Sequence, residues 1–228
     1  MPHELTFSSA TAATFAPASW DDRESGDEVT VPAPTFIGSS ISQVFFYSNR
    51  FGVISNDSVV LSRAGKLKNF YGKSALVQTD GDPVDLQTST IEPAFLSHVV
   101  PQANGLLLFS ANAVFVLYSD SGFLSPNTAT IRRIASYEID EGVRPVSMGT
   151  DVIFINKTKN YSRIFGMQTQ GYQENPNIRD ITKAVAELLP DTIDSISANN
   201  QSEIISVSSH DSKSIFLFKT YDPGEQDG

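Results

Sequence analysis

Four times along the chain a short apolar run turns through a polar segment and returns as a second apolar run. Phe51 to Ser55 turns at Asn56–Asp57–Ser58 and returns as Val59 to Leu61; Leu106 to Phe109 turns near Ala111–Asn112 and returns as Val114 to Leu117. Val152 to Ile155 turns through residues 156–160 and returns as Arg163 to Phe165; Ile204 to Val207 turns at residues 209–213 and returns as Ile215 to Phe218. Runs this short, rich in β-branched and aromatic residues and bounded by Asn, Asp, Ser and Gly, are strands joined as hairpins. The equivalent positions Val53, Leu107, Ile153 and Ile205 stand 54, 46 and 52 residues apart. A hairpin recurring at that interval is the spacing of propeller blades, each a small antiparallel sheet. The expected fold is therefore all-β and β-propeller-like, with repeated antiparallel blades, a β-sandwich with evenly spaced hairpins being the alternative. Segments such as Ser42 to Tyr47 and Ile131 to Ile139 supply further strands of each blade.

One segment departs from this pattern. Ile181, Ala184, Val185, Leu188 and Leu189 fall at helical spacing behind Asp180, a suitable N-cap, and ahead of Pro190, a stop signal. The spacing predicts one short helix over 180–189, lying on the sheets. Residues 1–35 read as an extended N-terminal arm or linker, rich in Ser, Thr, Ala and Pro and carrying Asp21, Asp22, Glu24, Asp27 and Glu28. Residues 36–221 read as the propeller-like domain with about four blade-like units, and 222–228 as a flexible tail.

The chemistry classes are narrowed by what is missing. A formal charge of −10 over 228 residues argues against a basic nucleic-acid module, and the absence of cysteine excludes disulfides, Cys-based zinc and thiol nucleophiles. No run approaches the ~18 apolar residues of a membrane span, and Met1–Leu5 lacks the basic and apolar regions of a signal peptide. A soluble chain is expected on that basis. HExxH, GxSxG, GxGxxG and P-loop signatures do not occur. The histidines, His3, His98 and His210, are far apart in sequence.

Asp80, Asp82 and Asp85 place three carboxylates within six positions, a density that suggests calcium. An EF-hand loop begun at Asp80 fails, because its fifth and sixth positions are Val84 and Asp85 rather than a ligand and glycine. Asp–Gly and Asp–Pro are turn pairs, so a turn is the first reading, with an interface cation or catalytic carboxylates as alternatives. The Asn-x-Ser/Thr sequons at Asn56, Asn156, Asn160 and Asn200 read as turns. Arg132–Arg133 is too small for a nucleic-acid patch, although Arg63, Lys66, Lys68 and Lys73 could form a local basic stripe. The aromatics Phe45, Phe109, Phe115, Phe154 and Phe216 sit inside apolar strands and look like core, while Trp20 is placed to anchor the arm. No catalytic, cofactor-binding or metal site is assigned, and no cofactor is expected.

The segments Val44 to Ser55 and Val59 to Gly65 resemble the central region of tail tubular protein B, the tail nozzle family of short-tailed podoviruses (autographiviruses). The similarity continues through Asn69–Phe70–Tyr71, Asp80 to Asp85, Leu106 to Ser110, Phe115–Val116–Leu117, Leu124–Ser125–Pro126, Arg144–Pro145 and Asp180–Ile181–Thr182. The resemblance implies a non-enzymatic virion protein, assembled in the host cytoplasm into the phage tail and forming part of the conduit for DNA ejection. It implies a hexameric ring of copies, contacts with tail adaptor and tail fibre proteins, and DNA passing without tight binding. It places most ring contacts in platform and tip regions outside this span. A propeller that binds or cleaves bacterial surface polysaccharide is the competing expectation, and an intracellular scaffold a third.

Overall fold

A computed structural model of the chain describes residues 3–89, 93–103, 105–168, 176–185 and 187–219. The expected tail at 222–228 lies outside them. Strands β1 (His3–Ser9) and β2 (Ala12–Pro17) form a separate hairpin. Four antiparallel sheets follow in chain order, arranged as the blades of a four-bladed β-propeller. Blade 1 is β3 (Gln43–Tyr47), β4 (Arg50–Ser55), β5 (Ser58–Leu61) and β6 (Val84–Gln87). Blade 2 is β7 (Leu96–Gln102), β8 (Gly105–Ser110), β9 (Val114–Ser119) and β10 (Ala129–Ala135). Blade 3 is β11 (Val146–Met148), β12 (Asp151–Lys157), β13 (Ser162–Gln168) and β14 (Asn177–Asp180). Blade 4 holds three strands, β15 (Ile193–Asn199), β16 (Ile204–Ser209) and β17 (Ile215–Lys219). The four hairpins expected from the sequence are β4–β5, β8–β9, β12–β13 and β16–β17, in each case the second and third strands of a blade.

Successive strand residues point to opposite faces, so a continuous apolar run gives a sheet that must be covered twice. In β8, Leu106 and Leu108 enter the cluster shared with blade 1, and Leu107 and Phe109 enter the cluster shared with blade 3. In β12, Val152 and Phe154 face blade 2, whereas Ile153 and Ile155 face blade 4. Three hydrophobic layers thus join blades 1 to 2, 2 to 3 and 3 to 4. Among the described residues no such cluster joins blade 4 to blade 1.

Blade 1 covers its outer face differently. Val53, Val60 and Phe70 pack there against Trp20, Phe36, Ile41 and Phe51, and Trp20 lies 5.6 Å from Phe70 and 5.9 Å from Phe51, ring to ring. The arm supplies what a preceding blade would. Blade 4 is more polar on its second face: β16 alternates Ile205 and Val207 on the buried side with Ser206 and Ser208 on the other. Those serines pair with Ser197 and Ser195 of β15 at 2.7 and 2.8 Å.

Polar side chains tie the blades as well. The amide of Gln43 on β3 donates to Val99 O and accepts from Val99 N on β7. The middle-hairpin turns catch the linkers to the next blade, Leu96 N donating to Asn56 O and Ile139 N to Ala111 O.

The helix expected over 180–189 is corrected by the structure. Asp180 closes β14, and Ile181 N still donates to Ile164 O of β13 at 2.9 Å. Among the described residues only one 3-10 turn follows, Lys183–Val185. Asp180 does act as a cap, accepting from Thr182 N and Thr182 Oγ1, but it caps a turn. The apolar spacing arises because Ile181 and Leu189 reach the third cluster from two separate bends, while Val185 and Leu188 face solvent.

Gly52 permits the closest approach in blade 1. It pairs across the strands with Phe45, whose ring occupies the volume that a Cβ would take. A Gly52→Ala substitution is expected to push this buried ring out of its cluster and cost about 1–3 kcal/mol. Urea denaturation of the variant beside the parent chain checks this; an unchanged midpoint contradicts the packing.

Candidate functional site

The densest polar arrangement surrounds Arg50. Ser48 and Asn49 both take positive φ, at 50° and 57°, making the tight two-residue turn that antiparallel twist favours. That turn brings Arg50 to the start of β4, where only 2% of it is exposed. Its guanidinium donates to Ser62 O at 2.8 Å, Asp82 O at 2.6 Å and Asp80 O at 2.7 Å, and reaches Leu124 O of blade 2 at 3.3 Å. Burial depresses the Arg50 pKa and the nearby Asp82 charge opposes that shift. A planar fork with five donors suits such a nest of carbonyls, as a single ammonium would not.

The three aspartates do different work around this fork. Asp80 offers its carbonyl. Asp82 is buried, its Oδ1 accepting from Lys73 N at 2.9 Å and its Oδ2 from Thr79 N at 2.7 Å. Burial pushes its pKa up, but the Thr79 and Lys73 amides and the Arg63 charge outweigh that and hold it below the ordinary value. Asp85 binds the arm, accepting from Thr35 N at 2.9 Å and Thr35 Oγ1 at 2.7 Å. The segment is a turn whose Asp82 and Asp85 carboxylates already hold protein donors. Among the described residues no group of three His, Asp or Glu side chains is placed to hold a metal.

The arm continues along blade 1. Asp21 N donates to Lys68 O at 3.0 Å and Ser25 Oγ to Lys73 O at 3.0 Å. A cavity of about 470 Å³ lies between arm and blade, lined by Trp20, Phe36, Ile41, Phe70 and Tyr71. The arm also supplies carboxylates to the basic stripe. Glu24 lies 3.3 Å from Arg63 and 3.6 Å from Lys66, and Glu4 lies 2.7 Å from Lys68. Arg63 is also 4.0 Å from Asp82. Three of the four cations of that stripe therefore have counter-charges in the same chain.

The histidines do not converge. His3 stacks on Phe15 at 4.7 Å in the hairpin. His98 on β7 contacts Glu141 O at 2.9 Å, and burial depresses its pKa. His210 sits 2.6 Å from Asp194 in blade 4, whose hydrogen bond and charge raise its pKa. Arg132 and Arg133 lie on β10, the outer strand of blade 2. Asn56 takes a positive φ in the β4–β5 turn, and Asn156 donates to Glu138 O at 2.7 Å. Of the aromatics read as core, Phe45, Phe109, Phe115 and Phe154 are buried, and Phe216 is half-buried. Sequence reasoning did not find Arg50 or Gln43. The consecutive Ser48–Asn49 turn residues were the only signal near Arg50, and they speak to backbone shape alone.

Comparison with known proteins identifies relatives. The family model described as bacteriophage nozzle protein matches residues 1–227. Tail tubular protein gp12 of Escherichia phage T7 is 34% identical over 221 residues, covering 96% of this chain and 28% of that protein. The chain thus spans little more than a quarter of that relative's length. Hsv2 from Kluyveromyces lactis matches at a TM-score of 0.48 and 10% identity, over 79% of this chain and 47% of its own. The extracellular domain of a one-component system from B. thetaiotaomicron matches at 0.48 and 13% identity, over 80% and 22%.

Arg50 and Asp82 yield a stability prediction. Arg50→Met leaves buried carbonyls without donors and is expected to cost about 3 kcal/mol or more, while Asp82→Asn, which orphans one amide, costs about 1–3 kcal/mol. Because the folded Asp82 pKa lies below the ordinary 3.8, its contribution is complete above that value and is lost as pH falls through the folded one. Urea midpoints across an acid series should therefore fall less steeply for Asp82→Asn than for the parent chain. Parallel curves contradict the assignment.

Proposed function

The chain belongs to the bacteriophage nozzle protein family, whose members are structural tail proteins rather than enzymes, and we propose that it forms part of the tail conduit through which phage DNA is ejected. In this reading it works in the virion tail after assembly in the host cytoplasm, within a hexameric ring of copies that meets tail adaptor and tail fibre proteins. Residues 36–221 are the propeller unit, 1–35 the arm appended to it and 222–228 a tail. In this reading no catalytic, cofactor or metal site is assigned to the chain. No helix among the described residues is long and apolar enough to cross a membrane.

The observation that supports the conduit role is the fate of the basic stripe. A wall beside moving DNA must not grip it, because each cation that neutralises a phosphate releases counterions and adds affinity. Arg63, Lys66 and Lys68 are held by Glu24 and Glu4, and the net charge of −10 adds a repulsive average field. DNA would meet a stripe in which three of the four cations already have partners.

Fluorescence anisotropy with a labelled duplex tests this. No binding is expected at about physiological salt, where ordinary non-specific binders reach ~10⁻⁴–10⁻⁶ M. Replacing Glu4 and Glu24 by Gln should create weak binding that fades as salt is added. Micromolar binding by the parent chain contradicts a non-gripping wall. Electron cryomicroscopy of the intact virion tests the location: propeller density should surround the tail channel, and density elsewhere overturns the reading.

A further inference from the structure

Residues 1–35 carry six carboxylates, and the fold divides them unevenly. Glu4 pairs with Lys68, Glu24 with Arg63 and Lys66, and Glu28 with Arg23. Asp27 serves its own turn, accepting from Val29 N, Thr30 N and Thr30 Oγ1. Asp21 and Asp22 are left. Both are exposed, and neither carboxylate has a hydrogen-bond or ion-pair partner among the described residues. These two, of the six, line the cavity between the arm and blade 1. The cation in the same lining, Lys68, is already 2.7 Å from Glu4, so the negative charge at the cavity is not neutralised from within the chain.

The walls of that cavity are aromatic. Trp20, Phe36, Phe70 and Tyr71 line one space of about 470 Å³, within the roughly 300–1,000 Å³ range of small-molecule sites. Phe36 meets Phe70 at 77° and Trp20 meets Phe70 at 58°, so the rings form a corner rather than one flat platform. The face of an aromatic ring is the negative part of its quadrupole and attracts cations, Trp most strongly. Tyr71 already shows this attraction, with the Arg23 guanidinium 5.2 Å from its ring centre.

We propose that this cavity binds a small quaternary ammonium ion, its methyl groups against the rings and its charge facing Asp21 and Asp22. A neutral apolar ligand would leave both carboxylates without a counter-charge. A primary ammonium is strongly hydrated and brings three N–H donors into a space walled by rings, whereas a quaternary ion has no N–H to satisfy. A sugar needs a flat aromatic face and donors for its hydroxyls, and the charged donor here, Lys68, is taken by Glu4. The inference stands apart from the conduit reading, because it uses only the arm, blade 1 and the space between them.

Trp20 is the only tryptophan in the chain, so its emission reports directly on the cavity. Titration with choline chloride, at ionic strength held constant with sodium chloride, is expected to give a saturable change. Dimethylbutanol, the neutral carbon analogue of choline, should bind about tenfold more weakly. An Asp21→Asn/Asp22→Asn variant should lose about tenfold for choline and nothing for the alcohol. Neither substitution removes a contact of the fold, and circular dichroism should confirm that the variant is folded. The indole N–H resonance of Trp20 gives a second readout and should move along the same curve. No saturable response to choline in either measurement overturns the inference. So does an equal response to choline and the alcohol, which would make the cavity merely apolar, or a choline response unaltered in the variant. A stronger response to butylammonium overturns the quaternary class, and a response to methyl glucoside in place of choline overturns the inference in favour of polysaccharide recognition.

Discussion

A strand that is apolar at every position cannot satisfy itself with one neighbour. In β8 and β12 each alternate residue enters a different hydrophobic layer, so every blade demands cover on both sides and the series must be continued or terminated. The rest of the molecule answers that demand. Blade 1 is terminated by an aromatic cap from the arm, centred on Trp20 and Phe70. In β15 and β16 of blade 4 serines replace the second apolar set, and their hydroxyls pair with one another across the two strands. Burial near 25 cal/mol per Å² rewards the first solution; the second still leaves Ile215 and Leu217 of β17 exposed beside the serines.

The polar interior follows a parallel rule. Arg50 is a buried cation whose direct partners are carbonyl oxygens rather than a carboxylate. Breaking such an arrangement exposes the cost of a charge taken from water, so the loop at 79–82, the end of β5 and the Leu124 segment of blade 2 are held together by one side chain. The arm adds the surface counterpart. Glu4 and Glu24 reach cations more than thirty residues away in sequence, so local electrostatics here are not those of the local sequence.

How much of this was legible depends on burial. The middle hairpins of blades 1 to 3 declared themselves because they are largely covered on both faces and so read as apolar runs, whereas that of blade 4 is covered on one face and shows in β16 as alternation with serine. First and outer strands such as β6, β7, β10 and β14 mix polar and apolar residues with half-buried positions, and their limits were not readable. The 180–189 stripe misled because two apolar residues bound for one cluster fell at helical spacing by way of a strand end and a 3-10 turn. The turn character of Asp80 to Asp85 was readable from Asp–Gly and Asp–Pro, but the acceptors around Arg50 are main-chain atoms, which every residue possesses and no sequence pattern marks. The ordered motifs, not the spacing, pointed to the nozzle family. Spacing alone left propeller and sandwich both open.

The arrangement of cover also fixes an order of events during synthesis. Each blade closes its own hairpins from neighbouring segments, so sheets can form as they leave the ribosome. The inner layer of a blade, however, is dry only once the next blade has emerged, and folding advances one interface behind translation. The arm inverts this sequence. Made before blade 1, it has no place to lie until β4, β5 and Phe70 exist, and its Thr35 must wait for Asp85. The aromatic residues of the arm thus stay uncovered through the early folding of blade 1.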